Sequence, residues 1–113
     1  MKLAIVGSRG IEHVDLDKYV DQDVDEIVSG GAIGVDACAA QYAKSRSLKL
    51  TEFLPQYDRY GRGAPIVRNK AIVDYADKVL VFWNGSSKGT QSVIKYAQRS
   101  GKACEVVLIE SNK

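Results

Sequence analysis

The stretch IVSGGAIGVD, residues 27–36, joins a short β-prone run to the start of a helix. Gly30 and Gly31 end the run, and Gly34 and Asp36 open the helix. Glycine is favoured where backbone turns sharply or comes close to something else. The loop therefore raises two questions: which kind of element the helix leads to, and which neighbour the glycines approach.

The alternation continues along the whole chain. Apolar runs at 3–7, 26–30, 48–54, 78–83 and 103–109 read as strands, and helix-like stretches cover roughly 15–24, 35–47, 65–76 and 90–100. Several strand runs are nearly continuous in apolar residues, as strands buried on both faces are. Val35, Ala39, Tyr42, Ala43 and Arg46 recur at helical spacing. Pro65 suits a first helical turn, Thr90 an N-cap and Gly101 a C-terminal stop. Strands alternating with helices predict an α/β fold: a single-domain, Rossmann-like three-layer sandwich over residues 1–113 with a five-stranded, mainly parallel sheet. The closing ESNK reads as a frayed tail.

Bulk properties agree with one globular domain. The 113 residues are 45% hydrophobic and 27% charged, enough for a core without disulfide or metal staples. Cys38 and Cys104 lack metal-ligand spacing and read as reduced thiols, and no metal site is expected. No apolar run reaches the roughly 20 residues that span a bilayer. The chain begins directly on the strand-like KLAIVG, so the expectation is a cytoplasmic protein with no signal peptide and no membrane partner. The net charge is +2, but residues 12–26 hold seven acids and one base, whereas residues 44–70 hold seven bases and two acids. A basic middle attracts anions.

In such a sheet, ligands sit beyond the carboxyl ends of the strands. The loops leaving those ends read GSRG (7–10), SGGAIGVD (29–36), PQYDRYGRGAP (55–65) and NGSSKGT (84–90). Three of the four are rich in glycine and small polar residues. NGSSKGT opens a helix, and its backbone N–H groups with Gly85, Ser86, Ser87, Gly89 and Thr90 form an expected phosphate seat, although the order is not that of a Walker A loop. Asp36 in the first turn of its helix repels phosphate and suits a sugar hydroxyl, so Gly30, Gly31 and Gly34 are expected under a ribose or base. The pattern is not G-x-G-x-x-G, which argues against NAD, and no cofactor is expected. Arg68 and Asn69 near the third helix, with Gly7, Ser8 and Arg9 after the first strand, complete an anion cage. Tyr57 and Tyr60 are candidates to stack a base. His13 has no partner at motif spacing and reads as a surface residue, and Trp83 as core packing.

The motifs VGSRG, VSGGAIGVD, VRNKAIV, ADKVLVFWNGSSKGT and SGKACEVV, in this order, resemble the SLOG superfamily. That superfamily joins the DNA-processing protein A (DprA/Smf) domain and the LOG-type phosphoribohydrolases. The resemblance covers nearly the whole chain and is nearest to small stand-alone members of mostly unassigned function. It implies a nucleotide-type pocket lined by Gly30, Gly31, Gly34, Asp36, Arg68, Asn69, Gly89 and Thr90, and a homodimer. The departures are specific. LOG enzymes carry P-G-G-x-G-T followed by glutamates, but here the segment is GSSKGTQSV, with Ser92 and Val93 in place of the acids. DprA-type domains read S-G-x-A-R-G-I-D and then A-H, where this chain has Ile33 and Ala40 in place of the Arg and the His. The expectation is a module that binds a nucleotide or another phosphate-containing small molecule, with no evident catalytic residues. The alternatives are a DprA-like single-stranded DNA binder and a nucleoside-monophosphate phosphoribohydrolase.

Overall fold

A computed structural model describes residues 1–110. Strand β1 (Lys2–Gly7) leads through a 3-10 turn (Leu16–Lys18) to β2 (Glu26–Ser29), α1 (Val35–Ser45) and β3 (Lys49–Glu52). A single helical turn, α2 (Tyr57–Tyr60), and a 3-10 turn (Gly61–Gly63) precede α3 (Ala64–Tyr75), β4 (Lys78–Trp83), α4 (Lys88–Arg99) and β5 (Ala103–Leu108). The strands pair in the order β3-β2-β1-β4-β5, all parallel. This is the α/β, Rossmann-like sandwich expected from the alternation. The expected tail at 110–113 falls largely on residues 111–113, outside the described residues.

Alternate side chains of the central strands feed two cores. Leu3 and Ile5 of β1, Ile27 of β2, and Leu80 and Phe82 of β4 pack with Val35, Ala39 and Ala43 of α1. On the other face Ala4, Val28, Val79 and Val81 pack with Ile72 and Val73 of α3 and Val93, Ile94 and Ala97 of α4. The period-2 pattern of each strand thus meets a helical stripe on either side.

One expected helix is absent. Residues 15–24 form only the short 3-10 turn, which still buries Leu16, while Val24 is buried and Tyr19 sets its ring edge-on to Phe82 at 5.3 Å. A helix here would stack Asp17, Asp21 and Asp25 at i,i+4, where like charges repel, and its aspartates and valines are weak helix formers. The segment keeps its apolar anchors and covers the sheet as an extended wrap. It is tied to the end of α1 by the Arg46–Asp17 ion pair.

The strand entrances at the opposite end of the sheet carry a polar cluster. Glu26, buried at the start of β2, accepts from the Tyr75 hydroxyl at 2.6 Å and from the Thr51 hydroxyl at 2.7 Å. The Tyr75 bond, helped by Thr51 and Lys49, holds its carboxyl below the usual glutamate range against the opposing cost of burial.

Helices α1 and α4 end in the same way. In α4, Lys102 N–H donates to Ala97 C=O at 2.9 Å and Gly101 N–H to Gln98 C=O at 3.2 Å, with Gly101 at φ +72°. In α1, Leu48 N–H donates to Ala43 C=O at 2.8 Å and Ser47 N–H to Lys44 C=O at 3.3 Å. Both are Schellman caps, which place one residue in the left-handed region. In α1 that residue is Ser47, at φ +56° and the only non-glycine residue with positive φ among the described residues. Ser47→Gly is expected to raise stability by about 1 kcal/mol, because it removes the Cβ strain. Chemical denaturation of the two proteins measures the difference, and an unchanged or lowered midpoint contradicts it.

Candidate functional site

Because all five strands run the same way, the N-termini of α1, α3 and α4 open on the carboxyl edge of the sheet. The chain passes from β1 to β2 on one side and later to β4 on the other, so the point where strand order reverses lies beside β1. A cleft of about 150 Å³ occupies this position. Its polar wall comes from Arg9, from Asp36 in the first turn of α1, from Arg68 and Asn69 of α3, and from Ser87 and Thr90 at the start of α4. Its floor is apolar, with Val6, Ile72 and Val93.

Loop chemistry places these groups. Asn84 follows β4, and its Oδ1 accepts the N–H of Ser86 at 3.0 Å and of Ser87 at 2.9 Å. This side-chain turn reverses the chain into α4. Ser87, not Thr90 as expected, is the N-cap, and its hydroxyl accepts the Thr90 N–H at 3.5 Å. Ser87 takes the cap because its extended backbone sits one step before the first helical residue. Thr90 lies in the first turn, buried, with its hydroxyl against Ser8.

Of the expected site residues, the cleft brings together Gly7, Arg9, Gly30, Asp36, Arg68, Asn69, Ser87, Gly89 and Thr90. Ser8 sits behind it, buried, with its hydroxyl bonded to Thr90 and to the Asn84 N–H. Gly31, Gly34, Gly85 and Ser86 are not among the lining residues. Tyr57 and Tyr60 are exposed away from the cleft, and Arg59 stacks over the Tyr60 ring. Sequence reading missed six lining residues: Ala32, Ile33 and Pro65 in the loops and first turn, and Val6, Ile72 and Val93, which look like any other core residue in the chain.

The glycines of the opening stretch meet protein. A Cβ on Gly34, at φ +75°, would lie 2.7 Å from the Ile11 carbonyl oxygen, so the loop after β1 packs directly on the start of α1. A Cβ on Gly30 would lie 2.5 Å from Arg68 Nη1. The missing side chain makes room for the guanidinium, whose Nη1 donates to Gly30 C=O at 2.7 Å and to Phe53 C=O at 3.4 Å, while Nε donates to Asn69 Oδ1 at 2.8 Å. Arg68 thus straps α3 to the carboxyl ends of β2 and β3 while its charge stays in the cleft wall.

Asp36 is the sole carboxylate among the lining residues. It accepts the Ala32 N–H at 3.1 Å. Burial pushes its carboxyl above the usual range, with nearby Glu52 adding to the rise, against the Ala32 bond, the Arg68 charge and a Ser29 hydroxyl bond.

A wider depression of about 570 Å³ runs along the outer side of α4, past Lys88, Lys95 and Arg99. One helix alone lines it, so it lacks the convergence of the smaller cleft. Among the described residues no cluster of three or more His, Cys, Asp or Glu has metal-binding geometry, and no helix is long and apolar enough to cross a membrane.

Fold and site together define a parallel α/β protein with a polar cleft at its topological switch point. No protein-family model, curated protein or solved structure matches the chain.

The raised Asp36 value sets a pH dependence. A folded-state pKa above the ordinary 3.8 contributes stability that is complete below 3.8 and lost as pH rises through the folded value. Asp36→Asn removes that loss and keeps an oxygen for the Ala32 N–H. The variant is expected to melt higher than the parent at pH 7, with the gain gone at about pH 3. Thermal melts at both pH values measure this, and a gain of equal size at both contradicts it.

Proposed function

We propose that the chain is a SLOG-type binding module for a nucleotide or a nucleotide-derived small molecule. The observation that carries the reading is the convergence of three helix N-termini, with Arg9 and Arg68, on one cleft at the switch point. Helix N-termini present N–H donors and positive dipole ends to an anion. The phosphate takes the α4 end, beside Ser87, Gly89 and Thr90. Asp36 faces it as an acceptor for sugar hydroxyls.

The cleft is smaller than the roughly 300–1,000 Å³ that encloses a drug-sized ligand. It therefore takes the phosphate and sugar, and leaves the base at the mouth near Arg9 and Ile33. Glycosidic cleavage ordinarily uses two carboxyl groups flanking the bond. Asp36 alone lines the cleft, which supports binding in preference to turnover.

Single-stranded DNA is the second reading, and a specific observation favours it. Helix α4 carries Lys88, Lys95 and Arg99 and no acid, and these three bases follow one open depression. Such a strip tracks phosphates with little sequence preference and with strong salt dependence.

A thermal-shift panel of nucleoside monophosphates, dinucleotide-derived metabolites, ribose phosphates and oligo-dT tests both. Binding to the native state adds about 2.7 kcal/mol at a hundredfold excess over Kd. The first reading expects a rise with a mononucleotide that is lost in Thr90→Ala and in Arg9→Ala. The second expects a rise only with oligo-dT, lost at high salt and in Lys95→Glu/Arg99→Glu. No rise with any member contradicts both.

A further inference from the structure

Three hydroxyls meet where β1 ends and α4 begins. Ser8 Oγ lies 3.3 Å from Thr90 Oγ1, and the Ser87 hydroxyl donates to the same atom at 3.2 Å. Two backbone amides feed the group. Asn84 N–H donates to Ser8 Oγ at 3.3 Å and Thr90 N–H to Ser87 Oγ at 3.5 Å.

Each hydroxyl has one proton and two lone pairs. Ser87 uses its proton on Thr90, the Ser8–Thr90 contact uses a second, and the third is left on Ser8 or Thr90. Ser8 is 1% exposed and does not line the cleft. A proton left over on Ser8 would be a buried donor without an acceptor, which is costly. Ser8 therefore donates to Thr90. The spare proton then sits on Thr90, which lines the cleft.

We propose that Ser8, itself out of reach of any ligand, is a positioning residue that, with Ser87, makes the Thr90 hydroxyl a donor into the cleft. Thr90 offers its spare O–H to an acceptor beside the backbone N–H groups at the start of α4. The chemistry that fits is an oxyanion oxygen, such as that of a phosphate. An ammonium or amide N–H at the same place meets a donor and is rejected. This rests on the reading of the cleft as an anion site.

The test is a double-mutant cycle with inorganic phosphate and adenosine 5′-monophosphate as probes, read by calorimetric titration, with melting of every variant recorded separately. Thr90→Val is expected to weaken binding about tenfold or more, as loss of a hydrogen bond to a charged group does. Ser8→Ala is expected to weaken it several-fold. A residue that acts through Thr90 adds nothing once Thr90 is gone, so the double variant binds as Thr90→Val does. If Ser8→Ala does not fold, Ser8→Cys, a weaker donor of similar shape, enters the same cycle. Wild-type affinity in the Ser8 variant overturns the proposal, and so does a double variant weaker by the full product of the single effects. Either result leaves the cleft reading standing. Failure of the wild type to take either probe overturns both.

Discussion

Everything at the candidate site depends on β1 pairing in parallel with β2 on one side and β4 on the other. Parallel pairing requires a crossover after each strand, and each crossover returns over a face of the sheet. All carboxyl ends then lie on one edge, and the helices after them begin there. Reversal of strand order beside β1 parts the crossovers and leaves a crevice between them. The cleft is therefore a consequence of topology before any side chain is considered. The sequence decides what lines it.

The lining divides into wall and contact surface. Arg68 acts mainly as wall, because its Nε and Nη1 bond the Asn69 side chain and the carbonyls of Gly30 and Phe53. Gly34 serves the same construction, since its bare Cα lets the backbone near Ile11 lie against α1. The start of α4 is arranged differently. There Asn84 shapes the turn, Ser87 caps the helix, and Ser8 backs Thr90 from inside the fold. Donors are gathered at this end and the Asp36 acceptor stands at the start of α1, and the proposed sugar-phosphate ligand rests on that polarity.

Much of this architecture was legible in the chain. The nearly continuous apolar runs of β1 and β4 could only be doubly covered strands, and Pro65 and Gly101 mark ends that the structure keeps. The stretch at 15–24 misled because Leu16, Val20 and Val24 recur at helical spacing. The aspartates between them fall at i,i+4, and their repulsion outweighs a weak apolar stripe. The glycines of residues 30–34 were legible as close approaches, which the sequence reading assigns to a ribose or base, whereas the neighbours they meet are Arg68, Leu54 and the Ile11 carbonyl. Arg68 and the Ile11 carbonyl come from segments far away in sequence, and only the folded topology brings them there. Thr90 reads as the N-cap, and the structure gives that place to Ser87, whose backbone is extended just before the first helical residue. The apolar floor of the cleft carried no signal at all, since a core valine and a pocket valine look alike.

An amide chemical-shift map of the protein titrated with adenosine 5′-monophosphate tests the cleft as a nucleotide site. Saturable shifts are expected at Ser87, Gly89 and Thr90 of α4 and at Gly30 and Asp36 across the cleft. Shifts confined to Lys95, Gln98 and Arg99 on the outer side of α4, or none at saturating ligand, would contradict it.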